Sequence, residues 1–245
     1  MMPPTWPWLL VLAPIVGSFV GVVATRFAAP QTILWGRSRC PHCGHSLTAR
    51  DLVPFASWLA LCGRCRHCGA AISAAYPVIE LAALAIAVWS LAVADGAMVW
   101  VTAGLGWTLL ALAAIDWRHF VLPDFLTLPL IAAGLAAAWA LDRSTVADRA
   151  IGAAAGFAFV MLVRTAYWQL RRREGIGLGD AKLLAAAGAW VAWQGLPSVV
   201  LIAAVAGLLA AVLARWWNLS WDDRVPFGAF LALGTWLVWL YGPPV

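Results

Sequence analysis

Two aspartates in a very apolar chain are the first candidates for chemistry. Asp116 ends the apolar run LLALAAID, and Asp180 follows the glycine-rich stretch GIGLG. Two carboxyl groups at close range do not both ionise easily, so one keeps a proton while the other is charged. This state suits peptide hydrolysis, because the anion activates a water and the acid polarises the scissile carbonyl. We expect Gly177 and Gly179 to permit positive φ and the close approach of a substrate backbone.

Each acidic residue also has a structural interpretation. Asp180 is in position to cap the N-terminus of a helix, and Asp116 is in position to lie at the membrane interface beside a basic neighbour. Asp124 suits a turn or an N-cap, and Glu80 suits a hydrogen-bond anchor between helices. If the aspartates do react, the helix macrodipoles favour Asp180 as the ionised base, because it starts a helix whereas Asp116 lies near a helix end.

All five cysteines lie in one short polar segment. Four of them form two C-x-x-C pairs about twenty residues apart, which is typical of a structural four-cysteine zinc site. The predicted ligands are Cys40, Cys43, Cys65 and Cys68, and Cys62 is a spare thiol. The alternatives are free thiols, a redox pair, or a histidine ligand in place of a cysteine, from His42, His45 or His67.

The composition indicates a membrane protein. Hydrophobic residues make up 64% of the 245 residues and charged residues 11%, and apolar runs of about the length that crosses a bilayer recur along the chain. We predict an all-α polytopic membrane protein with about eight transmembrane helices and a small cytoplasmic zinc-binding segment. The predicted spans are 5–25, 76–94, 97–116, 125–141, 150–167, 182–194, 197–215 and 226–242.

The basic residues predict an orientation. When eight spans alternate across the membrane, 14 of the 16 basic residues fall on one side, and only Arg143 and Arg149 on the other. The positive-inside rule then puts the cysteine segment and both aspartates in the cytoplasm and both termini in the periplasm. The net charge of +5 therefore reports orientation, and no nucleic-acid partner is expected.

Several ordered motifs resemble the bifunctional type IV prepilin peptidases, which are leader peptidases and N-methyltransferases. GSFVGVVATR at 17–26 is similar to their first-span signature, and GRCRHCGAAISAAYPVIE at 63–80 to their cysteine segment and second span. AIDWRHFVLPDFLTLP and REGIGLGDAKLLAAAGAW are similar to the blocks that carry their two catalytic aspartates, which fall on Asp116 and Asp180.

The resemblance implies an aspartic endopeptidase of the bacterial inner membrane. It would remove the basic leader of type IV prepilins and pseudopilins at the cytoplasmic face and methylate the new N-terminus with S-adenosylmethionine. The predicted divisions are a first helix at 1–25, the four-cysteine segment at 26–75 and a seven-helix peptidase domain at 76–245. Two other functions stay open: a transporter with Asp116 and Asp180 as proton or cation sites, and a zinc-containing membrane adaptor without catalysis.

Overall fold

The described part of the protein is helical, as the sequence predicts. This computed structural model describes residues 6–27, 38–40, 42–173, 175, 177–216 and 225–243, and among them there is no β-strand beyond two isolated bridges. Six helices are long and apolar enough to cross a membrane, and a seventh apolar helix is shorter. The helices are α1 Trp6–Arg26, α2 Ala56–Ala60, α3 Ala75–Val93, α4 Met98–His119, α5 Asp124–Leu141, α6 Val146–Arg171, α7 Leu178–Trp216 and α8 Phe227–Tyr241.

The chain divides into two compact units, Met1–Ala114 and Ile115–Val245. In the first unit, α1 and α3 pack closely along their lengths. A Cβ built on Gly17 would lie 2.6 Å from the Cα of Glu80, so the absence of a side chain lets the two helices touch. Toward the end of α1, Tyr76 donates a hydrogen bond to Thr25 Oγ1 at 3.2 Å. These contacts make the two helices antiparallel and bring the start of α3 beside the end of α1.

In the second unit, α7 has 39 residues and is interrupted at Ala192. A straight helix of this length would extend about 58 Å, roughly twice the apolar thickness of a bilayer. Ala192 has φ 59° and ψ −179°, which is not helical backbone. The interruption therefore separates two helical segments, which lie where the sequence predicts the spans 182–194 and 197–215.

The two segments of α7 run in opposite directions. The first begins beside Leu122, which also contacts the start of α8 at Gly228. The second is antiparallel to α8, because Gly195 lies against Val238 and Gly207 against Phe230. The second segment of α7 therefore ends near the start of α8, which is also where the first segment of α7 begins. The described helices accommodate the predicted spans, and the count of eight membrane crossings stays a prediction.

Candidate active site and metal centre

Asp116 lies in the last turn of α4, where its side chain is buried with 5% exposure. Its Oδ2 accepts a hydrogen bond from the backbone N–H of Ala229 at 3.0 Å. Ala229 is the third residue of α8, and the residue before that helix, Pro226, provides no side-chain cap. The same N–H also donates to the Pro226 carbonyl at 3.2 Å, so Asp116 is a second acceptor for an amide in the first turn of α8.

This contact changes the argument from helix dipoles. The C-terminal end of α4 disfavours a negative charge on Asp116, and this is the only helix end that the sequence places beside it. The N-terminus of α8 points at the same carboxyl group and favours the charge. Both aspartates thus receive a hydrogen bond from an amide at a helix start, and the macrodipoles do not distinguish base from acid as the sequence suggested.

Asp180 is the third residue of α7, so it is not the N-cap that the structural interpretation proposed. Its Oδ2 accepts a hydrogen bond from the backbone N–H of Gly177 at 3.2 Å, across the first turn. The side chain is only partly buried. Asp180 is thus the more accessible of the two carboxyl groups, and its local geometry resembles one half of a capping box.

Leu122 connects the elements that carry the two aspartates. A Cβ on Gly179 would lie 2.9 Å from the Leu122 Cβ, and a Cβ on Gly228 would lie 2.8 Å from its Cδ1 and 2.9 Å from Asp116 Oδ2. Leu122 has 7% exposure and contacts both the first turn of α7, which carries Asp180, and the start of α8, which lies against Asp116. The structure therefore brings Asp116 and Asp180 together around one buried leucine.

The glycine expectation was wrong for Gly179. This residue lies in the first turn of α7, so it is helical and does not have positive φ. It is needed as glycine because Leu122 occupies the space of a side chain. Gly177 contributes its N–H to Asp180. Leu122 lies within the block AIDWRHFVLPDFLTLP but was not predicted to contribute to the site, and no motif indicates Gly228.

Two other acidic residues act as structural anchors. Asp124 is the first residue of α5 and does not occupy the expected N-cap position, which Pro123 takes. Its Oδ1 lies 2.6 Å from Lys182 Nζ, which ties the start of α5 to α7. Glu80 anchors the cysteine segment to α3, because its Oε2 accepts a hydrogen bond from the N–H of Phe55 at 3.0 Å.

The four predicted cysteine ligands form one cluster. The Sγ atoms of Cys40, Cys43, Cys65 and Cys68 all lie within 4.8 Å of one another, and Cys40 Sγ lies 3.7 Å from Cys68 Sγ. Zn–S bonds of about 2.3 Å in a tetrahedron require sulfur atoms about 3.8 Å apart. The donor set and its spacing therefore fit a zinc ion, and four thiolates leave no open position for a substrate.

The two C-x-x-C pairs have the same local backbone structure. Gly44 N–H donates to the Cys40 carbonyl and Gly69 N–H to the Cys65 carbonyl, both at 2.9 Å. Gly44 and Gly69 have φ of +68° and +70°, a conformation that glycine adopts at no steric cost. Each glycine thus closes the turn that directs one pair of thiols toward the shared centre.

The surroundings of Cys40 favour metal binding. Backbone hydrogen bonds from Cys43 and then His42 lower the pKa of the Cys40 thiol to about 6, which favours the thiolate that a metal requires. In contrast, although a backbone hydrogen bond from Ala70 lowers it, desolvation and the neighbouring cysteines raise the pKa of Cys68 to about 11. The cluster contains no histidine, and the rings of His45 and His67 stack with centroids 3.5 Å apart. Cys62 is outside the cluster, as expected for a spare thiol.

The fold and these two sites define a multi-pass membrane protein that has a four-cysteine cluster able to hold a metal ion and a pair of converging aspartates. The profile of the Bacterial Peptidase A24 N-terminal domain matches residues 11–94, and that of the Type IV leader peptidase family matches residues 103–212. The chain belongs to the type IV leader peptidase family. Membership and the apolar helices make it a protein of the inner membrane.

Curated relatives support this membership over most of the chain. A protein named "Prepilin leader peptidase/N-methyltransferase" from Burkholderia pseudomallei (strain K96243) is 42% identical over 262 residues, covering 96% of this chain and 85% of the relative. Proteins of the same name from Aeromonas hydrophila and Dichelobacter nodosus are both 41% identical. They cover 88% and 85% of this chain, and 75% and 72% of their own lengths. No solved structure matches the chain.

Proposed function

We propose that this protein cleaves the leader peptide from type IV prepilins and pseudopilins and N-methylates the new N-terminal residue. The observation that carries the proposal is the convergence of Asp116 and Asp180 around Leu122, in a chain that belongs to the leader peptidase family. The relatives' name includes both activities.

The two carboxyl groups divide the work of hydrolysis. One of them, ionised, removes a proton from a water as that water attacks the scissile carbonyl carbon. The other, protonated, donates a hydrogen bond to the carbonyl oxygen and later a proton to the leaving amine. We assign the base to Asp180, now on its greater exposure, since water reaches it more easily than the buried Asp116.

The exposed backbone around Gly177 is the approach for the substrate. Gly177 has no side chain to obstruct an extended leader peptide, and Gly179 lets the first turn of α7 lie against Leu122. Because the basic residues predict a cytoplasmic location for both aspartates and the cysteine segment, the basic leader is cut there. The apolar helix of the substrate stays in the bilayer, and both termini of the enzyme are periplasmic.

Two cofactors belong to this proposal. A zinc ion would be held by Cys40, Cys43, Cys65 and Cys68, where it would tie the two halves of the cysteine segment together. S-adenosylmethionine, when bound, would supply the methyl group for the new N-terminal amine.

Co-expression with a type IV prepilin and mass spectrometry of the product tests the proposal. Wild type should yield a product without the leader and with one added methyl group. Asp116→Asn and Asp180→Asn should yield uncleaved prepilin, because each keeps the shape of the side chain but not its acid–base chemistry. Asp142→Asn is the matched control. The start of α5 lies beside the first turns of α7, because Asp124 pairs with Lys182. Asp142 follows the other end of α5, about 27 Å away along the helix.

Equal cleavage by wild type, Asp116→Asn and Asp180→Asn would remove the aspartates from the mechanism. The transporter alternative is not favoured, because the chain belongs to a peptidase family. If wild type cleaves no prepilin and instead carries protons or cations in vesicles, the proposal is wrong.

A further inference from the structure

The first unit contains a cavity that neither the aspartates nor the metal centre accounts for. It has a volume of about 150 Å³ and lies between α1, the cysteine segment and α3. Cys40 and Cys65, the two buried members of the metal cluster, form part of its wall. The cavity is large enough to enclose one end of a nucleoside-sized ligand.

One side of the cavity suits a cation. Glu80, with 6% exposure, contributes a buried carboxyl group that accepts one backbone hydrogen bond. Trp58 and Tyr76 also line the cavity, and aromatic faces attract cations in places shielded from water. Both rings are held in place, since Trp58 Nε1 donates to a backbone carbonyl at 3.2 Å and Tyr76 donates to a threonine hydroxyl at 3.2 Å.

The cavity also offers donors for an anion. Arg26 and Arg39 contribute to its lining, and guanidinium groups bind carboxylates with two parallel hydrogen bonds. Asp51 is also in the wall, but hydrogen bonds from Thr48 and then Arg66 hold its pKa below the usual range. That carboxylate is thus already satisfied, and Glu80 is the acidic group that remains for a ligand.

We propose that this cavity binds the methionine end of S-adenosylmethionine, with Glu80 beside the sulfonium and the arginines beside the carboxylate. The inference rests on the proposed N-methyltransferase function, which requires a methyl donor. A sulfonium, an ammonium and a carboxylate lie within a few bonds of one another in this ligand. The cavity presents the complementary groups: a buried carboxyl group, two aromatic rings and two guanidinium groups.

The charge of the sulfonium provides a specific test. S-adenosylhomocysteine has the same groups except for the methyl group and its positive charge. Glu80→Gln removes the negative charge but keeps an oxygen that accepts the Phe55 hydrogen bond. Isothermal titration of purified, zinc-loaded protein should show that Glu80→Gln weakens S-adenosylmethionine binding by about tenfold or more, while S-adenosylhomocysteine binding changes by less than about threefold.

Two further variants test whether the ligand occupies this cavity and whether the loss of any carboxylate weakens binding. Ser18 lines the cavity from α1, so Ser18→Phe should fill the space and abolish binding of both ligands. Asp142→Asn neutralises an exposed carboxylate in the other unit and should bind both ligands like wild type. Zinc content, measured for every variant, reports whether the cysteine segment is intact.

Three results would overturn the assignment of this cavity. Equal weakening of both ligands by Glu80→Gln, or no weakening, would give Glu80 a structural role only. Wild-type affinity in Ser18→Phe would place the ligand elsewhere, while the proposed methyltransferase function would stand. If wild type cleaves prepilin but binds neither ligand, both the cavity assignment and the methylation half of the proposed function fail, and leader cleavage remains.

Discussion

Gly228→Ala directly perturbs the contacts that hold Asp116. The added Cβ would lie 2.9 Å from Asp116 Oδ2 and 2.8 Å from Leu122 Cδ1, whereas ordinary contact begins at 3.4 Å. The carboxyl group must therefore move by about 0.5 Å, away from the Ala229 amide that it now meets at 3.0 Å. Since a displacement of about 1 Å in a catalytic group can cost roughly a hundredfold in rate, we expect kcat/KM for leader cleavage to fall by about tenfold to a hundredfold.

Gly234→Ala is the matched control on the same helix. Its Cβ would lie 2.6 Å from the carbonyl oxygen of Val199, so it also overpacks α8, but about 1.7 turns along the helix from Gly228. Both variants should lose about 1–3 kcal/mol of stability from overpacking, measured as a lower Tm. Only Gly228→Ala should lose activity well below its Tm.

The assay measures initial rates of leader cleavage on purified protein with a synthetic prepilin peptide. A folded Gly228→Ala variant that cleaves within about twofold of wild type would refute the claim that this contact positions Asp116 for catalysis. Equal activity losses in Gly228→Ala and Gly234→Ala would show that general packing of α8, and not the position of one carboxyl group, controls the rate.

Three further predictions concern the elements around the sites. Cys65→Ser should lower bound zinc below one ion per chain, measured by elemental analysis, whereas Cys62→Ser should retain one ion, because Cys65 belongs to the cluster and Cys62 does not. Equal loss of zinc in both variants would contradict the assigned ligands. Trp190→Phe should lower stability by about 1–3 kcal/mol, because it removes the buried hydrogen bond of 2.9 Å from Nε1 to the Leu130 carbonyl and part of the volume that the indole ring fills; an unchanged Tm would contradict this. Lys182→Met should cost about 1 kcal/mol or less, since Asp124 is largely exposed, and a larger fall in Tm would show that the ion pair holds α5 and α7 more strongly than its exposure suggests.

The spans were predictable because runs of about 20 apolar residues are the requirement for crossing a bilayer. The reversal inside α7 was harder to locate. The predicted span ends at residue 194, but the chain leaves helical geometry at Ala192. Gly195 and Pro197 indicate a break in this neighbourhood, but alanine is a strong helix former, so the residue type does not place the break at Ala192.

The same contrast applies to the candidate site. Asp116 and Asp180 could be predicted as site residues because ionisable residues are rare in apolar segments. The cysteine cluster could be predicted because the C-x-x-C spacing is typical of metal-binding turns. Leu122, Gly228 and the Ala229 amide were not visible, since each contributes through contacts between distant parts of the chain. Helix dipoles did not predict which aspartate is ionised for the same reason. The helix start that faces Asp116 belongs to α8, which is distant from it in the sequence.

The central claim is that Asp116 and Asp180 act as one catalytic unit. Single-turnover cleavage of a synthetic prepilin peptide by wild type, Asp116→Asn, Asp180→Asn and the double variant tests it most directly. We predict that each single variant loses at least about a hundredfold in rate and that the double variant is no slower than either, because groups that act as a unit are not additive. A single variant within about threefold of wild type, or a double variant whose loss is the product of the two single losses, would contradict the claim.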